Sequence, residues 1–156
     1  MTIDEPLFSL ITVTRENCAG LAATGRSLPP ANRALYEWLV VDGASGDGTL
    51  AYLKGSAARW SSAPDSGLYD AMNKGLSVAR GAYVLFLNAG DRLAPGGVLE
   101  TLAAVLRLRP RQPDFIYADA LEDGGFVKPA RPHGQARAGM FTHHQAMLYH
   151  RDIVTG

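Results

Sequence analysis

Short, nearly continuous apolar runs alternate with amphipathic stretches along most of the chain. This alternation restricts the fold more than any other feature. Phe8-Ser-Leu-Ile-Thr-Val-Thr14, Trp38-Leu-Val-Val-Asp42 and Tyr83-Val-Leu-Phe-Leu-Asn88 read as strands covered on both faces, Asp114-Phe-Ile-Tyr-Ala118 as a further strand, and Arg59–Ser62 as a weaker one. Between them the spacing predicts helices over 16–28 (stopped by Pro29-Pro30), 48–57 (capped by Asp47), 67–80 and 96–108. In the third of these, Leu68, Met72, Leu76 and Ala79 form the apolar stripe expected to pack on the sheet together with Phe86, and Gly81 closes it. A β-α repeat of this kind builds a mainly parallel sheet with right-handed crossovers, an α/β/α sandwich. The chain of 156 residues suits one domain.

After Asp119 the pattern weakens. Residues 122–142 are rich in glycine and proline, with at most one helix or strand. They carry Lys128, Arg131, His133 and Arg137 with no acid between, which reads as a solvated loop or as a lid over an anionic ligand. The chain therefore divides into a ligand-binding core over 1–120 and a partial further segment over 121–156.

Composition excludes several classes. With 47% apolar and 19% charged residues the chain is neither disordered nor a coiled coil. Its formal net charge of +0 leaves no electrostatic footprint for nucleic acid. No apolar run approaches the roughly 18 residues of a membrane helix. The acidic start Met1-Thr-Ile-Asp-Glu-Pro6 has no signal core, and Cys18 is the single cysteine. The expectation is a cytoplasmic protein, free or peripheral to the inner face of the membrane.

In an open α/β sheet ligands bind beyond the carboxyl ends of the strands. The residues there are Thr14-Arg15-Glu16, Asp42-Gly-Ala-Ser-Gly-Asp47, Pro64-Asp65, Asn88-Ala-Gly-Asp91 and Asp119. Acids at every strand end suit a ribose, a base or a divalent cation, but not bare phosphate. Three generic motifs are weaker. Gly46-Asp-Gly48-Thr-Leu-Ala51 matches a dinucleotide fingerprint loosely and is better explained by helix capping. Gly43-Ala-Ser45-Gly46-Asp47 lacks the last glycine of a hydrolase elbow. His143 and His144 are adjacent, so an extended backbone points them apart and a zinc site is not expected. Asp70 and Lys74 have the i, i+4 spacing of a surface ion pair.

Longer strings go further. Phe8–Thr14 and then Leu39-Val-Val-Asp42-Gly-Ala-Ser-Gly-Asp47-Gly-Thr49 resemble the opening of family 2 glycosyltransferases. Pro64-Asp-Ser-Gly-Leu-Tyr-Asp-Ala-Met-Asn-Lys-Gly75, Ala79-Arg-Gly81, Phe86-Leu-Asn-Ala-Gly-Asp91, Ile116-Tyr-Ala-Asp119 and His144-Gln145 resemble, in order, a subgroup that includes bacterial exopolysaccharide, capsule and O-antigen enzymes. The resemblance spans nearly the whole chain. It implies a Rossmann-like GT-A fold, a nucleotide-sugar donor (UDP-, GDP- or dTDP-linked), a saccharide or lipid-linked acceptor, inverting transfer and a divalent cation, Mn²⁺ or Mg²⁺. Carried over by position, Thr14, Arg15, Glu16, Asp42 and Asp65 lie beside the nucleoside, and Lys74 faces the donor. Asn88 and Asp91 stand at the D-x-D position, with Asp91 the metal ligand; His144 and Gln145 lie on the acceptor side. Two departures stand out. Asn88 leaves one carboxylate at the D-x-D position, and the downstream acid that serves as base is missing. Asp119 and Asp152 are the candidate substitutes, Asp119 being better explained as a strand-end residue of the donor side and Asp152 lying too close to His144-Gln145 for the family's spacing. The expectation is a shortened acceptor portion, mobility over 122–142, little or no glycosyl transfer, and self-association through Met147 and Leu148 left exposed. The competing readings are a nucleotide-sugar-binding fragment without turnover, a Rossmann-type dinucleotide oxidoreductase and, further off, a nucleotidyltransferase.

Overall fold

A computed structural model describes residues 5–30, 32, 34–138 and 142–155. Four strands, β1 (Phe8–Thr14), β2 (Tyr36–Asp42), β3 (Arg59–Ser62) and β4 (Tyr83–Phe86), lie parallel in the order β3-β2-β1-β4. All seven residues of β1 are buried, as befits the central strand. The intervening helices are α1 (Cys18–Ser27), α2 (Thr49–Lys54) and α3 (Leu68–Ser77), with α4 (Val98–Arg107) after β4.

The pleat sorts the core into two layers. Phe8 and Leu10 of β1 face Leu99, Ala103 and Leu106 of α4, with Tyr83, Leu85 and Leu148. Val40 meets Leu21 of α1 and Leu53 of α2 on the same face. Ile11, Val13, Leu39, Val41 and Val84 point the other way, toward α3.

Here the expected stripe of α3 shifts by one position. Ala71 and Gly75 are the buried residues, Met72, Leu76, Ala79 and Phe86 are half-buried flankers, and Leu68 is 50% exposed. The cause is close approach: a Cβ on Gly75 would lie 2.5 Å from Ile11 Cγ2, so only small residues fit the line of contact. Gly81 does not end this helix, whose C-cap is Val78. It lets the chain cross β1, since a Cβ there would meet Ser9 N at 2.4 Å.

The largest departure lies beyond Asp119. β5 (Phe115–Tyr117) does not pair with β4; β8 (Met147–His150) inserts between them, antiparallel to both, and leads into α5 (Arg151–Thr155). Met147 and Leu148, expected on an exposed face, are 5% and 4% exposed because they fill this gap in the sheet. The expected boundary at residue 120 therefore does not separate the sheet from the C-terminal segment. Within 120–138 the chain forms a hairpin of β6 (Ala120–Leu121) and β7 (Val127–Lys128) and a 3-10 turn over His133–Ala138, more structure than the single element expected. Lys128, Arg131 and His133 are exposed, and Lys128 Nζ lies 3.6 Å from Glu122 Oε1. The Arg137 side chain and residues 139–141 lie outside the described residues. Among the described residues no helix is long and apolar enough to cross a membrane.

Candidate functional site

The parallel register brings the ends of β1, β2 and β4 to one edge, and the loops after them knit together. Gly43 N donates to Thr14 O (2.9 Å), Glu16 N to Ser45 Oγ (2.8 Å), and Gly46 N to Glu16 Oε1 (2.6 Å). Both non-glycine residues with positive φ among those described, Glu16 (49°) and Ala44 (60°), lie in these loops, where strain is tolerated because the bonds around them over-determine the backbone. Gly43 is buried between two of the expected donor residues. A Cβ there would meet Asp65 Oδ2 at 2.6 Å and Arg15 Cδ at 3.2 Å, so Arg15 and Asp65 converge across it. The hydroxyl of Thr14 is buried with no hydrogen-bond partner.

Asp42 is placed differently from the other acids. It is 0% exposed, and its carboxylate accepts from Ser45 N (3.1 Å), Ser45 Oγ and Ser62 Oγ (2.6 Å). Such a carboxylate holds the loop in shape rather than offering itself to a ligand. The same bonds take up Ser45 Oγ, the residue of the elbow-like string. Asp47 is used up as well: Oδ1 accepts from Thr49 N (3.1 Å) and Thr49 Oγ1 (2.6 Å), and Oδ2 from Cys18 N (2.8 Å), so one side chain caps α2 and ties it to the start of α1. The Thr49 hydroxyl, more than the backbone donors, holds its carboxyl below the ordinary aspartate range. The G-x-G-like string is thus a capping turn, with left-handed Gly48 (φ 98°) as N-cap.

Lys74 meets the ion-pair expectation. Its Nζ lies 2.8 Å from Asp70 Oδ2 and donates to Pro64 O (3.2 Å), while Ser66 N donates to Asp70 (2.9 Å). The hydrogen bond from Lys74 is the main reason the Asp70 carboxyl sits below its usual range. The pair anchors the Pro64–Ser66 loop and so sets the position of Asp65, whose Oδ1 accepts from Gly67 N (2.9 Å).

The turn from Asn88 to Asp91 is held by a residue with no counterpart in the motif strings. Thr24, fully buried in α1, has its Oγ1 2.7 Å from Asp91 O and 3.3 Å from Asn88 O, and accepts from Gly90 N (3.0 Å). Asn17, the N-cap of α1, donates to Ala89 O (3.2 Å). Only the threonine's place on the inward face of α1 could have signalled this role. Asp91 Oδ2 accepts from Asn88 N (3.0 Å), and Asn88 Oδ1 is buried without a partner. Among the described residues no three His, Cys, Asp or Glu side chains gather as a metal cage. One carboxylate beside an unpaired amide oxygen fits a cation that takes its other ligands from phosphate and water, as Mg²⁺ does at nucleotide sites.

Asp91 also lines an open cavity of about 600 Å³ between α4, the sheet edge and the Ala120–Asp123 segment. Asp119, His143 and Gln145 line it too. Asp119 Oδ1 accepts from Ala130 N (2.8 Å). Gln145 Oε1 is buried and unpaired. His144 is absent from the cavity wall, whereas His143, which no motif string includes, is part of it, with Nε2 3.3 Å from Glu122 Oε1. Asp152 is at the opposite end of the sheet. β8 runs antiparallel, His150 pairs with Tyr83 at the start of β4, and Arg151 N donates to Ala82 O (2.8 Å). Asp152 is removed as a candidate base, because the strand carries it away from Asp91.

Comparison with known proteins agrees with this layout. The model for glycosyl transferase family 2 matches residues 9–153. An uncharacterized glycosyltransferase of Mycobacterium tuberculosis is 39% identical over 105 residues, 64% of this chain and 40% of the relative. A PGL/p-HBAD biosynthesis glycosyltransferase of Mycobacterium bovis is 33% identical over 122 residues, 74% of this chain and 47% of the relative. The chain thus spans less than half the length of these relatives. Among solved structures, S. aureus TarS 1–349 in complex with UDP-GlcNAc superposes with a TM-score of 0.76 at 21% identity, over 95% of this chain and 46% of that one. The mannosyltransferase PcManGT from Pyrobaculum calidifontis, in complex with GDP-Man and Mn²⁺, gives 0.71 at 17% identity, over 97% and 46%. The parallel sheet, the knitted loops at its carboxyl edge and a family match across nearly its whole length together place the chain in glycosyl transferase family 2, with the GT-A fold.

Proposed function

We propose that this chain forms the donor side, and part of the acceptor side, of a glycosyltransferase. The enzyme moves a sugar from a nucleotide-sugar donor to an acceptor hydroxyl, with inversion, in the building of a bacterial polysaccharide or related glycoconjugate. The observation that carries the reading is the convergence of Arg15, Asp65 and the Asn88–Asp91 turn at one sheet edge, beside a cavity that Asp91 and Asp119 share. Relatives named as glycosyltransferases, and fold neighbours in complex with UDP-GlcNAc or GDP-Man, support it.

In this reading Arg15, Glu16 and Asp65 contact the nucleoside, and Thr14 offers its unpaired hydroxyl nearby. Asp42 and Lys74 hold the contacting loops. Asn88 and Asp91 face the diphosphate, and Asp91 would hold Mn²⁺ or Mg²⁺. Such a cation neutralises charge that grows on the departing diphosphate. Asp119, across the cavity from the donor edge, accepts the proton of the acceptor hydroxyl. Residues 1–120 supply the donor half, and Gln145 with His143 and the hairpin faces the acceptor.

The test is thermal stabilisation by UDP, GDP and dTDP with and without Mn²⁺, and then NMR of any product for anomeric configuration. A ligand at 100 times its Kd raises stability by about 2.7 kcal/mol. No shift with any nucleotide refutes the donor reading. A shift without turnover leaves a nucleotide-sugar-binding part of a longer enzyme.

A further inference from the structure

The cavity beside Asp91 is lined by four carboxylates, those of Asp91, Asp119, Glu122 and Asp123. Among the described residues that line it, Arg92 is the one lysine or arginine. The backbone of Arg92 is fixed on both sides by hydroxyls of α1. Thr24 Oγ1 lies 2.7 Å from Asp91 O, and Leu93 N donates to Ser27 Oγ (2.9 Å). The head of the side chain is held by much less. Arg92 Nη2 donates to Asp123 Oδ1 (2.7 Å), but the two side chains are 59% and 92% exposed. Asp123 stands in the turn between β6 and β7 and is followed by Gly124 (φ 93°) and Gly125 (φ 83°). An ion pair this exposed contributes little, since water and salt screen it and two long-reaching side chains must be ordered to make it.

Resting on the donor reading proposed above, we infer that Arg92 binds the diphosphate of the donor and that Asp123 competes with the donor for it. A diphosphate brought beside Asp91 meets a wall of carboxylates that repels it. A divalent cation on Asp91 offsets part of that repulsion, and a guanidinium on the next residue offsets more. The planar fork of arginine gives paired, charge-assisted hydrogen bonds to phosphate oxygens, stronger than its single bond to Asp123. The exchange costs little on the side of Asp123, whose carboxylate is already in water and loses no hydration when it lets go. Because the backbone of Arg92 is held by Thr24 and Ser27, the swing is confined to the side chain and leaves the Asn88–Asp91 turn in place.

The experiment measures binding of UDP and GDP by calorimetry, and of uridine and guanosine by saturation-transfer NMR, on the whole chain with Mn²⁺ present. Arg92→Gln should weaken the bound diphosphate fivefold or more and leave its nucleoside unaffected, which also shows that the variant is folded. Arg92→Lys should recover part of the loss. Asp123→Asn should tighten the diphosphate twofold or more, and should change nothing in a chain that already carries Arg92→Gln. Undiminished diphosphate binding in Arg92→Gln, or a parallel loss of the nucleoside, overturns the inference. So does an Asp123→Asn effect of equal size with and without Arg92, because a general change of charge would then explain it. Failure of the unmodified chain to bind either diphosphate overturns the donor reading instead, and the inference with it.

Discussion

Thr24→Val isolates the bond set that shapes the Asn88–Asp91 turn. Valine keeps the β-branch and nearly the volume of threonine, so packing in the buried site is little changed. The hydroxyl is lost, and with it the acceptor for Gly90 N (3.0 Å) and the donor to Asp91 O (2.7 Å). A net hydrogen bond is worth about 0.5–1.5 kcal/mol, and a buried group left unpaired costs about 1–3 kcal/mol. Gly90 is exposed, so water recovers its N–H; Asp91 is half-buried, so its carbonyl is only partly recovered. The expected loss is therefore about 1–3 kcal/mol. For a chain of 156 residues that is a fall in Tm of roughly 2–12 °C. Thr24→Ser keeps the hydroxyl and loses one methyl group, about 1 kcal/mol. The order of stability should be wild type, then serine, then valine, measured by thermal and urea unfolding. The Mn²⁺-dependent part of the nucleotide shift should shrink in the valine variant and persist in the serine variant. A valine variant as stable as the wild type would refute the argument, because packing rather than hydrogen bonding would then hold the turn.

Gly75→Ala should destabilise by about 1–3 kcal/mol despite alanine's better helix propensity, since the new Cβ sits 2.5 Å from Ile11 Cγ2; denaturant midpoints check it. Leu148→Ala should cost about 2–5 kcal/mol, which a strand on an exposed face would not. Asp91→Asn should abolish the Mn²⁺-dependent part of the nucleotide shift while a metal-free shift remains. Asp119→Asn should remove any transfer without changing donor binding, and Asp152→Ala should leave both as they were. The carboxyls of Asp47 and Asp70 are held below their ordinary values, first by the Thr49 hydroxyl and first by Lys74 respectively. In each case the unfolded chain takes up its proton before the folded one. Their contribution is thus complete above the ordinary aspartate value and is lost as pH falls through about 4 toward the folded values. Asp70→Asn should flatten part of that acid slope in urea unfolding measured from neutral to acid pH.

The helix order, the central strand and the site edge were legible because they depend on local signals. The runs at Phe8–Thr14 and Trp38–Asp42 are apolar nearly throughout and lead into charged and glycine-rich loops, so both burial and loop position follow from period and punctuation. Which acids point outward was not legible. Asp42 and Asp65 look alike in the chain, yet one is sealed by Ser45 and Ser62 while the other faces Arg15 across Gly43. Those partners come from different loops and meet only once the strands are in register.

The end of the chain shows the same limit more sharply. Met147–His150 is a four-residue run without turn signals, and its partners in β4 begin at Tyr83 and in β5 at Phe115. A short run of this kind has no intrinsic preference strong enough to declare itself a strand; the gap between two existing edges supplies the hydrogen bonds and burial that make it one. Insertion of β8 decided that Leu148 is core, that Asp152 lies far from the donor edge, and that His143 and Gln145 line the cavity. The family, the sheet and the chemistry of its loops were written in residue order, because strands and capping turns answer to their nearest neighbours. The cavity, and the placement of Asp119 in its wall with Asp152 at the far end of the sheet, were decided only by tertiary structure, because they depend on pairings between segments far apart in the chain.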